Sequence, residues 1–274
     1  MRGRRGNPPV LKRFGQHFLH DEQILNRIAD AAAPMPGDTV IEIGPGRGAL
    51  TDILAKRPNR LAAIEIDRAL SEQLRERYSR NSNVTIVEGD VLETDIAALG
   101  GGPYVVVGNV PYYITTPILF HVMRPPFPRH AVFLVQLEVA ERIVAPPGSR
   151  TYGALSVNVQ AIAGAEIISQ VPRNAFRPPP KVTSAIVRIT PRQDAIVSGE
   201  EAVRFRSFVQ GLFGMRRKQI ANVLRSVSQL SAVQVGEVLE SLEIDPRARP
   251  ETLSPLQQAE LMRAVKKTGA QQDL

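Results

Sequence analysis

The string GNVPYYITTP, Gly108 to Pro117, sets an amide, a proline and two phenols side by side. Asn109 offers a side-chain carbonyl, and Val110 offers a backbone carbonyl held by the rigid ring of Pro111. Two acceptors suit a nitrogen that carries two hydrogens and whose lone pair is delocalised into a ring, as in the exocyclic amino group of adenine. Accepting both hydrogens draws that nitrogen toward a tetrahedral, nucleophilic geometry. Tyr112 adds a flat face for the base. A slot of this kind serves attack on an electrophilic carbon, where in-line alignment supplies several kcal/mol of the barrier reduction. The plainer alternative is a turn that caps a helix beginning near Thr115.

The electrophile is suggested by VIEIGPGRGAL, in which Gly44, Gly46 and Gly48 follow a strand and precede a helix. Glycines there let a nucleotide-like ligand approach the backbone closely. Glu65 ends the next strand, where a carboxylate can accept both hydroxyls of a ribose, and Asp90 ends the third, within the same logic for an adenine amino group. That arrangement serves NAD and S-adenosyl-L-methionine alike. The spacing GxGxG instead of GxGxxG, and the acidic Glu42 just before the turn, favour the cationic sulfonium over a pyrophosphate. A strand-end carboxylate satisfied by its own neighbours is the alternative for Glu42. Because the attacking nitrogen becomes strongly acidic after methyl transfer, water can take its proton and no strong general base is required.

Elements that place these residues on one edge are legible along the chain. A helix capped by Asp21 carries Ile24, Leu25, Ile28 and Ala32 at helical spacing and closes before Pro34 and Pro36. Strand-like DTVIEIG, LAAIEID, NVTIVEGD, YVVVGN and HAVFLVQ then alternate with helical stretches, the first from about Ala49 to Arg57. The fold class expected is α/β, a doubly wound, mainly parallel Rossmann-like methyltransferase sheet with a small all-helical C-terminal domain. ALSVNVQAIA, AEIISQV and SAIVRIT read as further strands that finish the sheet with an antiparallel portion. The expected division is a basic arm over residues 1–20, an α/β domain over 21–191 and a helical domain over 192–274.

Composition bounds the partners. The 274 residues are 43% hydrophobic and 22% charged, as in an ordinary globular chain, and the net charge of +7 favours a polyanionic partner. No cysteine is present, which excludes thiolate metal sites, disulfides and cysteine nucleophiles. The four histidines, His17, His20, His121 and His130, lack the spacing of a zinc hydrolase, so no catalytic metal is expected. No apolar run approaches the roughly 20 residues of a membrane span, and the first residues lack the apolar stretch of a secretory signal. A soluble, cytoplasmic protein without a membrane partner is the expectation. Arg2, Arg4, Arg5, Lys12 and Arg13 crowd the amino terminus, and Arg216, Arg217 and Lys218 form a second cluster suited to phosphates. For the extreme amino-terminal arginines, a solvated tail is an equal reading.

Taken together, KRFGQHFL at Lys12 to Leu19, EIGPGRGALT at Glu42 to Thr51, IEID at Ile64 to Asp67, Gly89–Asp90, NVPYYI, FRPPPKVTSA at Phe176 to Ala185, MRRKQIANVL at Met215 to Leu224 and RPETLS at Arg249 to Ser254 resemble the ribosomal RNA adenine dimethyltransferases. The likeness runs from about Lys12 to Val265. It implies that His17 and Leu19 close over the cofactor, with Gly44, Gly46, Glu65, Asp90 and Asn109 as further contacts. It also implies that Asn109 through Tyr112 grip the adenine, with Phe176 stacked on its other side; core packing is the competing role for Phe176. His17 and Tyr113 stand where the family commonly has Asn. MRRKQIANVL and RPETLS are similar to the branch that dimethylates two adjacent adenosines near the 3′ end of small-subunit rRNA. The resemblance therefore implies RNA-binding by Arg13, Arg216, Arg217 and Lys218, a pre-ribosomal particle as substrate, a monomeric enzyme and a part in ribosome biogenesis. The rival readings are a large-subunit rRNA adenine methyltransferase and a non-catalytic ribosome assembly factor on the same fold.

Overall fold

The computed structural model describes residues 17–215 and 218–270. A two-residue strand, β1 (Phe18–Leu19), leads into helix α1 (Glu22–Ala32). Asp21 caps that helix by accepting from the N–H groups of Gln23 and Ile24, and Ala33 ends it in the left-handed region at φ 31°. Strands and helices then alternate as the pattern predicts: β2 (Thr39–Ile43), α2 (Ala49–Leu54), β3 (Arg60–Glu65), α3 (Arg68–Arg77), β4 (Val84–Glu88), α4 (Ile96–Gly100), β5 (Tyr104–Asn109), α5 (Thr115–Val122), β6 (Ala131–Gln136) and α6 (Leu137–Val144). After α7 (Ala154–Gln160) come β7 (Ala163–Val171), β8 (Phe176–Arg177) and β9 (Ser184–Pro191).

The main sheet has seven strands in the order β4-β3-β2-β5-β6-β9-β7. Neighbours from β4 to β6 run parallel, and β9 pairs antiparallel with β6, matching Gln136 to Ser184. Central strands β2 and β6 are buried along nearly their whole length because helices cover both faces of a parallel sheet. From β2 the chain winds outward through β3 and β4, then returns to lay β5 on the other side of β2. At that reversal the loops leaving β2 and β5 diverge, and a crevice opens at their carboxyl ends. Gly108 allows the two strands to close up, since a Cβ there would lie 3.1 Å from the Ile43 carbonyl oxygen.

One expectation is corrected. The segment read as the strand ALSVNVQAIA forms helix α7, in which Ser156 Oγ accepts from the Gly153 N–H at 3.0 Å. Leu155 through Val159 are all buried. Leu155-Ser156-Val157-Asn158-Val159 alternates apolar and polar residues as a half-buried strand does, but all five are buried, so enclosure overrides the periodicity. Among the described residues the sheet finishes with β9, antiparallel to β6, and β7 beyond it.

The chain divides into two compact units, one of residues 1–140 and 166–191 and one of residues 141–165 and 192–274. The second therefore reaches beyond the 192–274 anticipated from composition by taking in the stretch around α7. Its other helices are α8 (Gly199–Phe213), α9 (Ile220–Val227), α10 (Ala232–Ser241) and α11 (Pro255–Ala270). Within it, Leu212, Ile220, Leu224, Leu239 and Leu261 form one apolar cluster and Tyr152, Val157, Phe205 and Val209 another. The Tyr152 hydroxyl, fully buried, donates to the Leu253 carbonyl at 3.0 Å.

Candidate active site

The glycine turn after β2 adopts left-handed backbone at all three positions, with φ 68° at Gly44, 57° at Gly46 and 82° at Gly48. Gly44 donates its N–H to the Ile64 carbonyl at 2.9 Å, which ties the turn to β3. The Phe18 ring packs on Gly46, where a Cβ would stand 3.1 Å from it, and the Arg47 guanidinium lies 4.3 Å from the centre of that ring. At Gly48 a Cβ would come within 2.9 Å of Leu74 Cδ2 and 3.1 Å of the Tyr78 hydroxyl, besides the unfavourable φ. Gly48→Ala is expected to destabilise the fold by about 2 kcal/mol; thermal unfolding with an unchanged midpoint would contradict that assignment.

Three carboxylates stand at or near the ends of successive strands. Glu65 closes β3 almost fully buried; its Oε2 accepts from the Gly46 N–H and its Oε1 from the Asp67 N–H, each at 2.9 Å. Burial raises its pKa and those N–H groups pull it back. A carboxylate has about four lone-pair sites, so Glu65 retains acceptor capacity toward a hydroxyl. Asp90 follows β4, its Oδ1 fixed by the Leu92 N–H at 2.9 Å. Glu42, within β2, is 2% exposed and its Oε2 accepts from Thr51 Oγ1 at 2.7 Å. Desolvation pushes its pKa up to about 8, against the hydrogen bond from Thr51 and with repulsion from Glu65 and Asp52 behind it. Such a group is neutral until a cation comes close.

On the other wall, Asn109 ends β5 and donates from Nδ2 to the His17 carbonyl at 3.0 Å. Because a carbonyl can only accept, that bond fixes which end of the amide is which and leaves Oδ1 as the acceptor. His17 donates from Nδ1 to the Pro178 carbonyl at 2.8 Å, and its ring stacks on Tyr112 with centroids 5.9 Å apart and planes 24° apart. The Tyr112 hydroxyl shares a 2.7 Å hydrogen bond with Ser184 Oγ. The β1–β8 ladder, pairing Phe18 with Arg177 and Leu19 with Phe176, holds the His17 segment in place.

Gly44, Gly46, Glu65 and Asp90 line one cavity with Glu42. His17, Leu19, Asn109, Val110, Pro111 and Tyr112 line that same cavity from the β5 side. Phe176 does not: it is 1% exposed and packs with Leu19, Ile28 and Val107 in the core. The expected stacking on the base is therefore corrected to core packing. Alternation along β8 turns Phe176 inward and Arg177 to solvent. Arg13, Arg216 and Arg217, like Arg2, Arg4, Arg5 and Lys12, lie outside the described residues; Lys218 is exposed. Phe18, Ile66 and Val91 line the cavity without having been singled out from sequence. The available signal was position: Ile66 and Val91 are apolar residues placed directly after the strand-end carboxylates. Among the described residues, no group of three or more His, Asp or Glu side chains is placed to hold a metal ion, and no helix is long and apolar enough to cross a membrane.

Comparison with known proteins fits this geometry. The family model described as ribosomal RNA adenine dimethylase matches residues 10–265. This chain belongs to that family. The ribosomal RNA small subunit methyltransferase A of Synechococcus elongatus is 44% identical over 259 residues, 90% of this chain and 91% of that one. A dimethyladenosine transferase from Plasmodium falciparum superposes with a TM-score of 0.81 at 26% identity, over 92% of this chain and 98% of the other. The 23S rRNA methyltransferase ErmE superposes with a TM-score of 0.71 at 30% identity, over 91% of this chain and 99% of the other. The match to the family takes in both compact units, from the strap at Phe18 to the last helix.

Proposed function

We infer that this chain transfers methyl groups from S-adenosyl-L-methionine to the exocyclic amino nitrogens of two adjacent adenosines near the 3′ end of small-subunit rRNA. The observation that carries the reading is the Asn109 amide, polarised by the His17 carbonyl, in one cavity with the glycine turn and the strand-end carboxylates. The residues fit the cofactor: three side-chain-free turn positions, the remaining acceptor capacity of Glu65, and a buried Glu42 whose charged form a cation would favour. Gly44, Gly46, Glu65 and Asp90 would hold it, and when bound it supplies a methyl group on a positively charged sulfur. Asn109 Oδ1 and the Val110 carbonyl take the two amino hydrogens of the adenine, and Tyr112, steadied by Ser184 and His17, holds the ring.

The small subunit is preferred to the large because a relative named for the small subunit is 44% identical across nine-tenths of both chains, against 30% for the 23S enzyme. A non-catalytic assembly factor would have no need of Asn109, Pro111 and Tyr112 together, and all three line the cavity. In this reading the enzyme acts as a cytoplasmic monomer on a pre-ribosomal particle, and the helical unit selects the RNA through phosphate contacts of Arg216, Arg217 and Lys218, with Arg13 contributing from the arm. Purified small and large ribosomal subunits lacking the modification, incubated with methyl-labelled cofactor, test it. Label is expected in the small subunit alone, as dimethyladenosine; label only in the large subunit defeats the choice.

A further inference from the structure

Two exposed apolar side chains line the active-site cavity, Ile66 at 50% exposure and Tyr113 at 67%. They stand on opposite walls. Ile66 follows Glu65 at the end of β3, the cofactor side, whereas Tyr113 lies on the single 3-10 turn after β5, Tyr112–Ile114, the base side; β2 separates the two strands. The neighbouring tyrosines divide their work. Tyr112 is half-buried and committed, its hydroxyl to Ser184 and its ring to His17. Tyr113 makes neither a hydrogen bond nor a ring contact among the described residues, and its ring meets solvent at the cavity rim. A bare aromatic face beside a binding cavity is apolar surface that a ligand can cover.

We propose that Tyr113 is a stacking platform for the RNA base adjacent to the one gripped by Asn109. This rests on the adenosine reading above. Drawing one base out of a strand exposes the face of its neighbour, and an aromatic ring at the mouth of the slot replaces the lost stacking whatever that neighbour is. Because stacking tolerates any base, the platform serves the neighbour on its own side of the slot whichever of two consecutive adenosines is gripped.

The test uses the full chain and a substrate RNA with 2-aminopurine placed on one side or the other of a target adenosine. Binding of the wild-type protein is expected to quench emission at one of the two positions, as is binding of Tyr113→Phe. Tyr113→Ala is expected to abolish the quench, raise KM for RNA about ten-fold, and leave kcat and cofactor affinity within about two-fold. Because the side chain is largely exposed, the variant is expected to keep its fold. Wild-type KM and quenching in Tyr113→Ala would overturn the platform alone, as would a Phe variant as impaired as the Ala variant. A wild-type chain that methylates no RNA would overturn both the platform and the functional reading.

Discussion

Asn109→Ala is expected to reduce methyl transfer by about two to three orders of magnitude, by analogy with the loss of one preorganised hydrogen-bonding group at a reacting centre, while RNA affinity changes no more than a few-fold. The amide does two things at once in this structure. Its nitrogen is spent on the His17 carbonyl at 3.0 Å, and that contact aims the oxygen as an acceptor. Alanine removes the acceptor and frees the His17 segment. Asn109→Asp separates these effects, because it keeps an acceptor of the same shape but loses the donor and sets a carboxylate against the His17 carbonyl oxygen. It too is expected to lose most activity, with the added mark of a loosened amino-terminal segment in hydrogen exchange. Single-turnover rates with saturating cofactor are the measurement. Wild-type turnover in Asn109→Ala would remove Asn109 from the chemistry.

Glu42→Gln carries the second large effect, read in stability against pH. In the folded chain the carboxyl keeps its proton up to about pH 8, whereas its ordinary value is 4.5. Between those limits the folded state binds more protons than the unfolded one, so stability falls as pH rises and levels off above pH 8. The full loss has an upper bound of roughly 5 kcal/mol. Glutamine occupies the same space without ionising, so the variant is expected to lack this slope and to be the more stable of the two at pH 8.5, with little difference near pH 4.5. Denaturant titrations across that range decide the matter, and parallel curves for the two proteins would refute the assignment. The same carboxyl predicts that cofactor binding near pH 7 releases a proton, since a cation beside Glu42 favours its charged form. Calorimetry in buffers of different ionisation enthalpy reads that release directly; Glu42→Gln should bind more weakly and release none.

Much of the site could be read before the fold was known, because its requirements are local. A strand that ends in Gly44, Gly46 and Gly48 announces left-handed backbone, and all three positions adopt it. Carboxylates at the ends of alternating strands announce a shared edge, and Glu42, Glu65 and Asp90 line one cavity. Asn109 and Pro111 stood out by residue type and by their place after the fourth strand of the alternation. Other features depended on partners far along the chain. The acceptor for the Asn109 amide is 92 residues away, and the partner of the Tyr112 hydroxyl 72 residues away. No local pattern encodes such pairs.

The amino-acid order alone determined the alternation of strands and helices and the glycine turn, since each follows from backbone preference and short-range periodicity. Tertiary packing decided the rest. It made a helix of Ala154–Gln160, where enclosure on all sides outweighs β-branched preference. It turned Phe176 into the core and Arg177 outward, because pairing with Leu19 and Phe18 sets which face of β8 is buried. It left Ile66 and Tyr113 bare at the cavity, and it took from Glu42 the solvent that would otherwise keep it charged. Burial and long-range hydrogen bonding exist only once distant segments meet, so they are properties of the packed chain and not of any stretch of it.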